Sequence, residues 1–397
     1  APMILALAIL GAITVAAGIL WSGPVRRSVT WAAMTTPLAS IIGSGFLVLG
    51  PILMAHYGWL APVVMAGLCG VAYLFGAAIR YNMRRIQAGE AMPKGLEAAS
   101  SWALSFAYIV SVAYYLNLFG AFGVSLTPFD SAVGAKLLTS AVYLLILTVG
   151  WTRGFASLER LEYLAVTIKL AIIAGLLVAL SAFFWGKVQV GALVVIPIEM
   201  SGWAAVTLAF GLIVTVQGFE TSRYLGDTYD AGTRVRSMKW AQWLSTLIYM
   251  IYIVLLAYVF HRDDLHFSET AIVDMMADVA PILPFLLVAA ALAAQFSAAV
   301  ADTSGSGGLM EELSAKRISV RMGYLLLTVV GLLLTWGADV FQIISYASRA
   351  FAVYYALQAA IAAISTSKQG AKNRSLGFAA LAALGFAIAV FGHAVEG

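Results

Sequence analysis

Three ionisable side chains stand deep inside apolar runs of this sequence: Lys169, Glu220 and Asp302. A charge placed that deep in a bilayer costs roughly 2.5–3.5 kcal/mol, so such residues mark binding or proton-transfer sites by default. A buried lysine that takes up and releases a proton once per cycle is a coupling device. The competing reading of Lys169 is a permanent ion pair with Asp302 or Glu220 that holds helices together. Glu220 sits in "TVQGFETS", with Arg223 about one turn on. Asp302 is followed by Thr303 and Ser304 and preceded by Ser297, an oxygen set that would suit a cation. Arg349 reads as structural, because an arginine stays charged. Tyr108, Tyr114 and Tyr115, in "FAYIVSVAYYLNLFG", read as pocket lining or as packing.

Glu220 shares its segment with Gly218, and the segment "SIIGSGF" repeats that pattern earlier in the chain. Each glycine costs about 1 kcal/mol against alanine in a helix interior. Weak points in matching positions of two halves point to a transporter site at the bilayer midplane. A broken helix exposes N–H groups where it restarts and carbonyls where it stops. The backbone of Ile42, Gly43, Ser44, Gly45 and Phe46 would clamp a substrate carboxylate. Carbonyls near Val216, Gln217, Gly218 and Phe219 would accept from an ammonium, with Phe219 in the pocket wall.

Composition sets the frame for these segments. Of 397 residues 62% are hydrophobic and 11% charged, with mean hydropathy +0.93. Soluble domains carry about 25% charge, so the chain is expected to be an all-α polytopic membrane protein. Twelve spans are expected, at 3–22, 32–55, 60–81, 97–124, 132–151, 159–184, 202–225, 239–260, 282–309, 318–336, 340–366 and 375–394. The first also resembles a signal peptide, but it lacks a basic leading region and an obvious cleavage site. Clusters such as Arg26–Arg27, Arg84–Arg85, Arg234–Arg236 and Lys316–Arg317 fall on one side of this layout. Only Lys136, Lys187 and Arg262 fall on the other. The positive-inside rule therefore puts both termini outside the cytoplasm, in a cytoplasmic (inner) membrane. The expected units are an extra helix over 1–25, a five-helix repeat over 30–185, an inverted five-helix repeat over 200–366 and a last helix over 373–397. An odd number of helices per repeat forces the inversion. The single cysteine, Cys69, and four scattered histidines give no metal spacing. No cofactor is expected. The basic clusters read as topology signals rather than nucleic-acid contacts.

Three stretches carry a family resemblance. "PLASIIGSGFLVLGPIL" resembles the glycine-rich first helix of the amino acid–polyamine–organocation (APC) superfamily. "VTVQGFETSRYLGDTYDAGTRVRSMKWA" resembles its sixth helix, and "RGFASLERLEYLAVTIKLAIIAGLLV" its fourth-to-fifth helix segment. The resemblance covers roughly residues 30–370. It implies a LeuT-type fold of five plus five inverted helices and secondary transport of amino acids or related amines. It also implies substrate binding at both breaks, proton coupling at Lys169 and an acidic position beside the second break at Glu220. The sequence departs from the pattern at "DTSGSGGLMEEL", where Asp302 stands and an expected arginine does not, and at Arg349. The extra first helix departs as well.

The expectation is thus a transporter, not an enzyme. No Ser-Lys, paired-Asp or His-Glu motif suits intramembrane catalysis. It would move an amino acid or small amine with a proton by alternating access, in contact with lipid and without nucleic acid. The rivals are an inorganic-ion transporter using Asp302, Glu220 and the hydroxyls of Ser297, Thr303 and Ser304, and a non-transporting sensor or assembly subunit. Oligomeric state is not written in the sequence.

Overall fold

The computed structural model describes residues 2–43, 45–155, 162–226 and 228–395. Those residues form helices, turns and loops, and no strand. The helices are α1 Pro2–Trp21, α2 Gly23–Arg26, α3 Val29–Ile41, α4 Gly45–Tyr57, α5 Ala61–Gln87, α6 Lys94–Val124, α7 Ala132–Thr152 and α8 Glu162–Gln189. They continue as α9 Gly202–Phe210, α10 Ala231–Leu256, α11 Ala271–Val279, α12 Leu283–Leu313, α13 Val320–Gly337, α14 Val340–Lys368 and α15 Lys372–Phe391.

Local sequence sets the helix starts. Ser28, Ser131, Asp230, Ser319 and Asp339 each accept a backbone N–H from the first turn they precede, the usual N-cap arrangement. The α4–α5 corner turns on Gly58, at φ 53. A Cβ there would lie 2.3 Å from the Ile196 carbonyl oxygen, so only glycine fits.

Ten stretches of the described residues are long and apolar enough to cross a membrane, against twelve expected. The difference arises mainly at the breaks. α3 has 13 residues and α9 has nine, too few to span alone. α4 joins α5 through a short 3-10 turn and counts with it as one 43-residue stretch. Two further differences concern loops. α10 starts at Ala231 rather than 239, so Arg234 and Arg236 ride on its first turns. The acidic loop after α10 contains α11, whose Ile272, Met275, Met276 and Val279 are buried.

α6 and α14 form the centre and are buried along most of their length. α6 packs on α12, α14 and α7, and α14 on α15 and α5. The extra helix α1 packs on α8, where Ile9 and Ile13 close over Gly175. The two broken elements lie against each other, α3 on the Phe219–Tyr224 turn and α4 on the Ile213–Val216 turn.

Candidate functional site

The first break opens where α3 ends at Ile41. Ile42 leaves helical geometry (φ −87, ψ 66), and α4 restarts at Gly45. Ser44 lies outside the described residues. The second break is longer. α9 stops at Phe210, a 3-10 turn covers Ile213–Val216, and another covers Phe219–Tyr224. Between them Gly218 takes φ 120. A Cβ on Gly218 would lie 2.5 Å from Ser40 Cβ and 2.6 Å from Ile41 N. That glycine lets the second break touch the end of α3. Gly45 does the same from the other side: its Cβ would lie 2.0 Å from the Tyr114 hydroxyl and 3.5 Å from Thr215 Cα.

Side chains from other helices pin the exposed backbone. The Tyr249 hydroxyl of α10 donates to the Ile41 carbonyl at 2.5 Å and lies 3.4 Å from that of Thr215. One side chain thus reaches both breaks. Ser348 of α14 donates to the Gly211 carbonyl (2.8 Å) and accepts from Val214 N (3.0 Å). Gln217 Nε2 donates to the Tyr115 hydroxyl at 2.9 Å. The Tyr249 and Ser348 contacts stand in for helix hydrogen bonds lost at the breaks, as irregular backbone inside a membrane requires.

Lys169 is 3% exposed. Its Nζ donates to the carbonyls of Ala39 (3.1 Å) and Leu38 (3.4 Å), in the last turn of α3. It forms no ion pair with Glu220 or Asp302 among the described residues. The acid whose charge reaches it is Glu162, which accepts from Thr36 at 2.6 Å. Glu220 Oε2 accepts from Gly218 N (3.1 Å) and the Tyr355 hydroxyl (2.9 Å). It therefore splints the second break, while its Oε1 is buried without a partner. Asp302 accepts from Ser111 of α6. Glu220 is close enough to act on Asp302 electrostatically, and both act on Tyr108, which lies among them.

Four members of the alternative cation set, Ser297, Asp302, Thr303 and Ser304, lie on α12. Ser297 and Ser304, seven residues apart, share one face of α12, whereas Asp302 leaves that helix toward Ser111. Thr303 donates its hydroxyl proton to the Ala299 carbonyl (2.6 Å), which leaves the oxygen lone pairs able to accept. Among the described residues no three His, Cys, Asp or Glu side chains group to hold a metal.

Aromatic rings enclose the breaks. Phe46 stacks on Tyr249 at 5.3 Å and meets Tyr252 edge-on at 5.1 Å. Phe219 and Phe75 both stack on Tyr355, at 5.2 and 5.1 Å. Beside Gly43, Phe46 and Lys169 there is a void of about 10 Å³, near the smallest that holds one water. Above it, a 240 Å³ vestibule begins at Pro51 and Ile52 and is rimmed by His56, Glu199, Arg262 and Phe267. Arg262 bridges Glu199 and the Ala55 carbonyl across its edge. At the opposite end, Arg223 pairs with Glu97 of α6, and Arg234 donates to the Arg223 carbonyl at 2.5 Å. These contacts tie the end of the second break to α6 and α10.

The structure thus brings Ile42, Gly43, Gly45, Phe46, Val216, Gln217, Gly218, Phe219 and Glu220 into one region, with Lys169 behind α3 and Tyr108 and Asp302 beside it. Sequence reasoning singled out Tyr115 only as a pocket-or-packing tyrosine, and it missed Tyr249, Ser348, Ser111 and Tyr355. Their only signal was a hydroxyl within an apolar helix.

A helical chain with two facing broken helices and ionisable groups beside them is an integral membrane protein of transporter build. The chain belongs to the APC superfamily: the family described as "APC superfamily transporter" matches residues 23–392, all of the described elements except α1. An uncharacterized protein of Aquifex aeolicus (strain VF5) is 40% identical over 387 residues, covering 94% of this chain and 93% of that one. In fold, the chain resembles a Na+-coupled sialic acid symporter solved in a substrate-bound outward-open state. That similarity has TM-score 0.55 at 12% identity, over 99% of this chain and 98% of the symporter.

Proposed function

We propose that this member of the APC superfamily is a proton-coupled secondary transporter of a small amine or amino acid. The observation that carries the reading is a surplus of buried acceptors around Gly218. Among the described residues Glu220 Oε1, Gln217 Oε1 and Ser40 Oγ have no hydrogen-bond partner. Each buried acceptor left without a donor costs about 1–3 kcal/mol. An ammonium brings three donors and would recover part of that cost. If the substrate also has a carboxylate, the free N–H groups at the start of α4, from Gly45 and Phe46, suit it. The acceptors favour the amine as the anchoring group.

Lys169 is the coupling group in this reading. Its contacts are carbonyls of α3 rather than a fixed carboxylate. Loss of its proton would weaken its hold on the end of α3, since a neutral amine makes weaker hydrogen bonds than an ammonium, and so tie protonation to movement of the first break. Glu220 and Asp302 assist from the substrate side. Five-helix repeats over 30–185 and 200–366 would move against each other, with 1–25 and 373–397 as additions and twelve passes in all. The Arg223 end faces the cytoplasm of a cytoplasmic-membrane protein whose termini lie outside, in keeping with the basic clusters. The rival inorganic-ion reading would use Asp302, Glu220 and the hydroxyls of Ser297, Thr303 and Ser304.

The test is a thermal-shift panel of amines, amino acids, sodium and divalent cations, followed by counterflow in proteoliposomes. Stabilisation and counterflow by an amine or amino acid are expected. Stabilisation by metal ions alone would overturn the proposal, and so would absence of counterflow across the panel.

A further inference from the structure

We propose that the groove holding Arg349 binds an anionic phospholipid of the bilayer, with the lipid phosphate on the guanidinium. The groove has a volume of 450 Å³ and is walled by α6, α13, α14 and α15, through residues including Phe106, Val110, Val330, Leu334, Val353 and Ala389. It faces outward: Phe106 is 57% and Tyr346 40% exposed. Arg349 is the charged residue in its wall. It stands nine residues into α14, about 14 Å along the helix.

Arg349 was expected to hold helices together. It does so with one bond, from Nε to the Ala389 carbonyl of α15 at 2.7 Å. That bond fixes the guanidinium and leaves its two terminal nitrogens with no hydrogen bond among the described residues. No carboxylate there pairs with it. An arginine does not shed its charge, so a guanidinium set in an apolar groove needs an anion. Two terminal N–H groups match two oxygens of a phosphate. The apolar wall from Tyr346 to Val353 runs about 10 Å along α14 and suits an acyl chain. An uncharged helix or a second copy's apolar face would leave the charge uncompensated, and a soluble anion would leave the apolar walls unused. Ser348, which clamps the second break, is the adjoining residue, so the lipid would sit directly behind the site.

Native mass spectrometry of the purified full chain tests this, with phosphatidylglycerol and diacylglycerol of the same chains added in turn. The wild type is expected to retain one phosphatidylglycerol at least five-fold better than diacylglycerol. Arg349→Gln should abolish that preference, and Arg349→Lys should keep part of it. Ala103→Trp, which fills the groove without touching the charge, should weaken retention of both lipids. Equal retention of the two lipids by the wild type would overturn the proposal, as would an unchanged preference in Arg349→Gln. So would a dimer that Arg349→Gln dissociates while no lipid is retained. If Arg349→Gln does not fold, the wild-type comparison and Ala103→Trp decide.

Discussion

Tyr249 reaches both breaks with one hydroxyl. Tyr249→Phe keeps the ring packed on Phe46 and leaves the Ile41 carbonyl without its donor, a loss of about 1–3 kcal/mol. The expected outcome is a lowered melting temperature with uptake down at least ten-fold; unchanged values for both would remove Tyr249 from the site. Gly45 gives a second test. In Gly45→Ala the new methyl meets the Tyr114 hydroxyl, and overpacking of this kind costs about 1–3 kcal/mol. Tyr114→Phe removes that oxygen, so the double variant should regain most of the lost stability in a thermal melt. At this scale the charged groups were legible. Lys169, Glu220 and Asp302 stand out because apolar runs reject them. The bracing hydroxyls were not. Tyr249 and Ser348 sit in helices far along the chain from Ile41 and Gly211, and a tyrosine or serine in an apolar helix usually signals packing. Their partners appear only once the helices meet.

The elements divide along the same line. Gly43, Gly45 and Gly218 announced both breaks, because no helix is strengthened by glycine. The form of the second break was not announced. Its two 3-10 turns depend on Ser348, on the Glu220 splint and on the close approach of Ser40. Ser348→Ala leaves Gly211 O and Val214 N unsatisfied together and should cost about 1–3 kcal/mol. Hydrogen exchange should rise over 211–218 more than over α10; an even rise across the chain would mean that Ser348 does not act locally. α11 was hidden for another reason. Asp274 and Asp278 gave its segment the look of an acidic loop, although Ile272, Met275, Met276 and Val279 follow helical spacing and are buried.

At the scale of the molecule, apolar composition made the helical membrane architecture legible, and the order of the spans anticipated the helices. How the ends close was not legible, since Arg223 and Glu97 are 126 positions apart. We propose that Arg223–Glu97 acts as a latch on one end of the site. Glu97→Gln weakens it, and the expected result is a shift toward opening at that end. In a Cys69→Ser background with Thr221→Cys, maleimide labelling should rise several-fold when Glu97→Gln is added; equal labelling would show that the pair is not a latch. The central claim joins the breaks to a proton through Lys169. Its most direct test is uptake by proteoliposomes of the amine or amino acid that stabilises the protein, with and without an imposed proton gradient. The wild type should accumulate substrate only with the gradient, and Lys169→Ala should lose accumulation while keeping counterflow. Full gradient-driven accumulation by Lys169→Ala, or wild-type accumulation that follows sodium instead, would contradict the account.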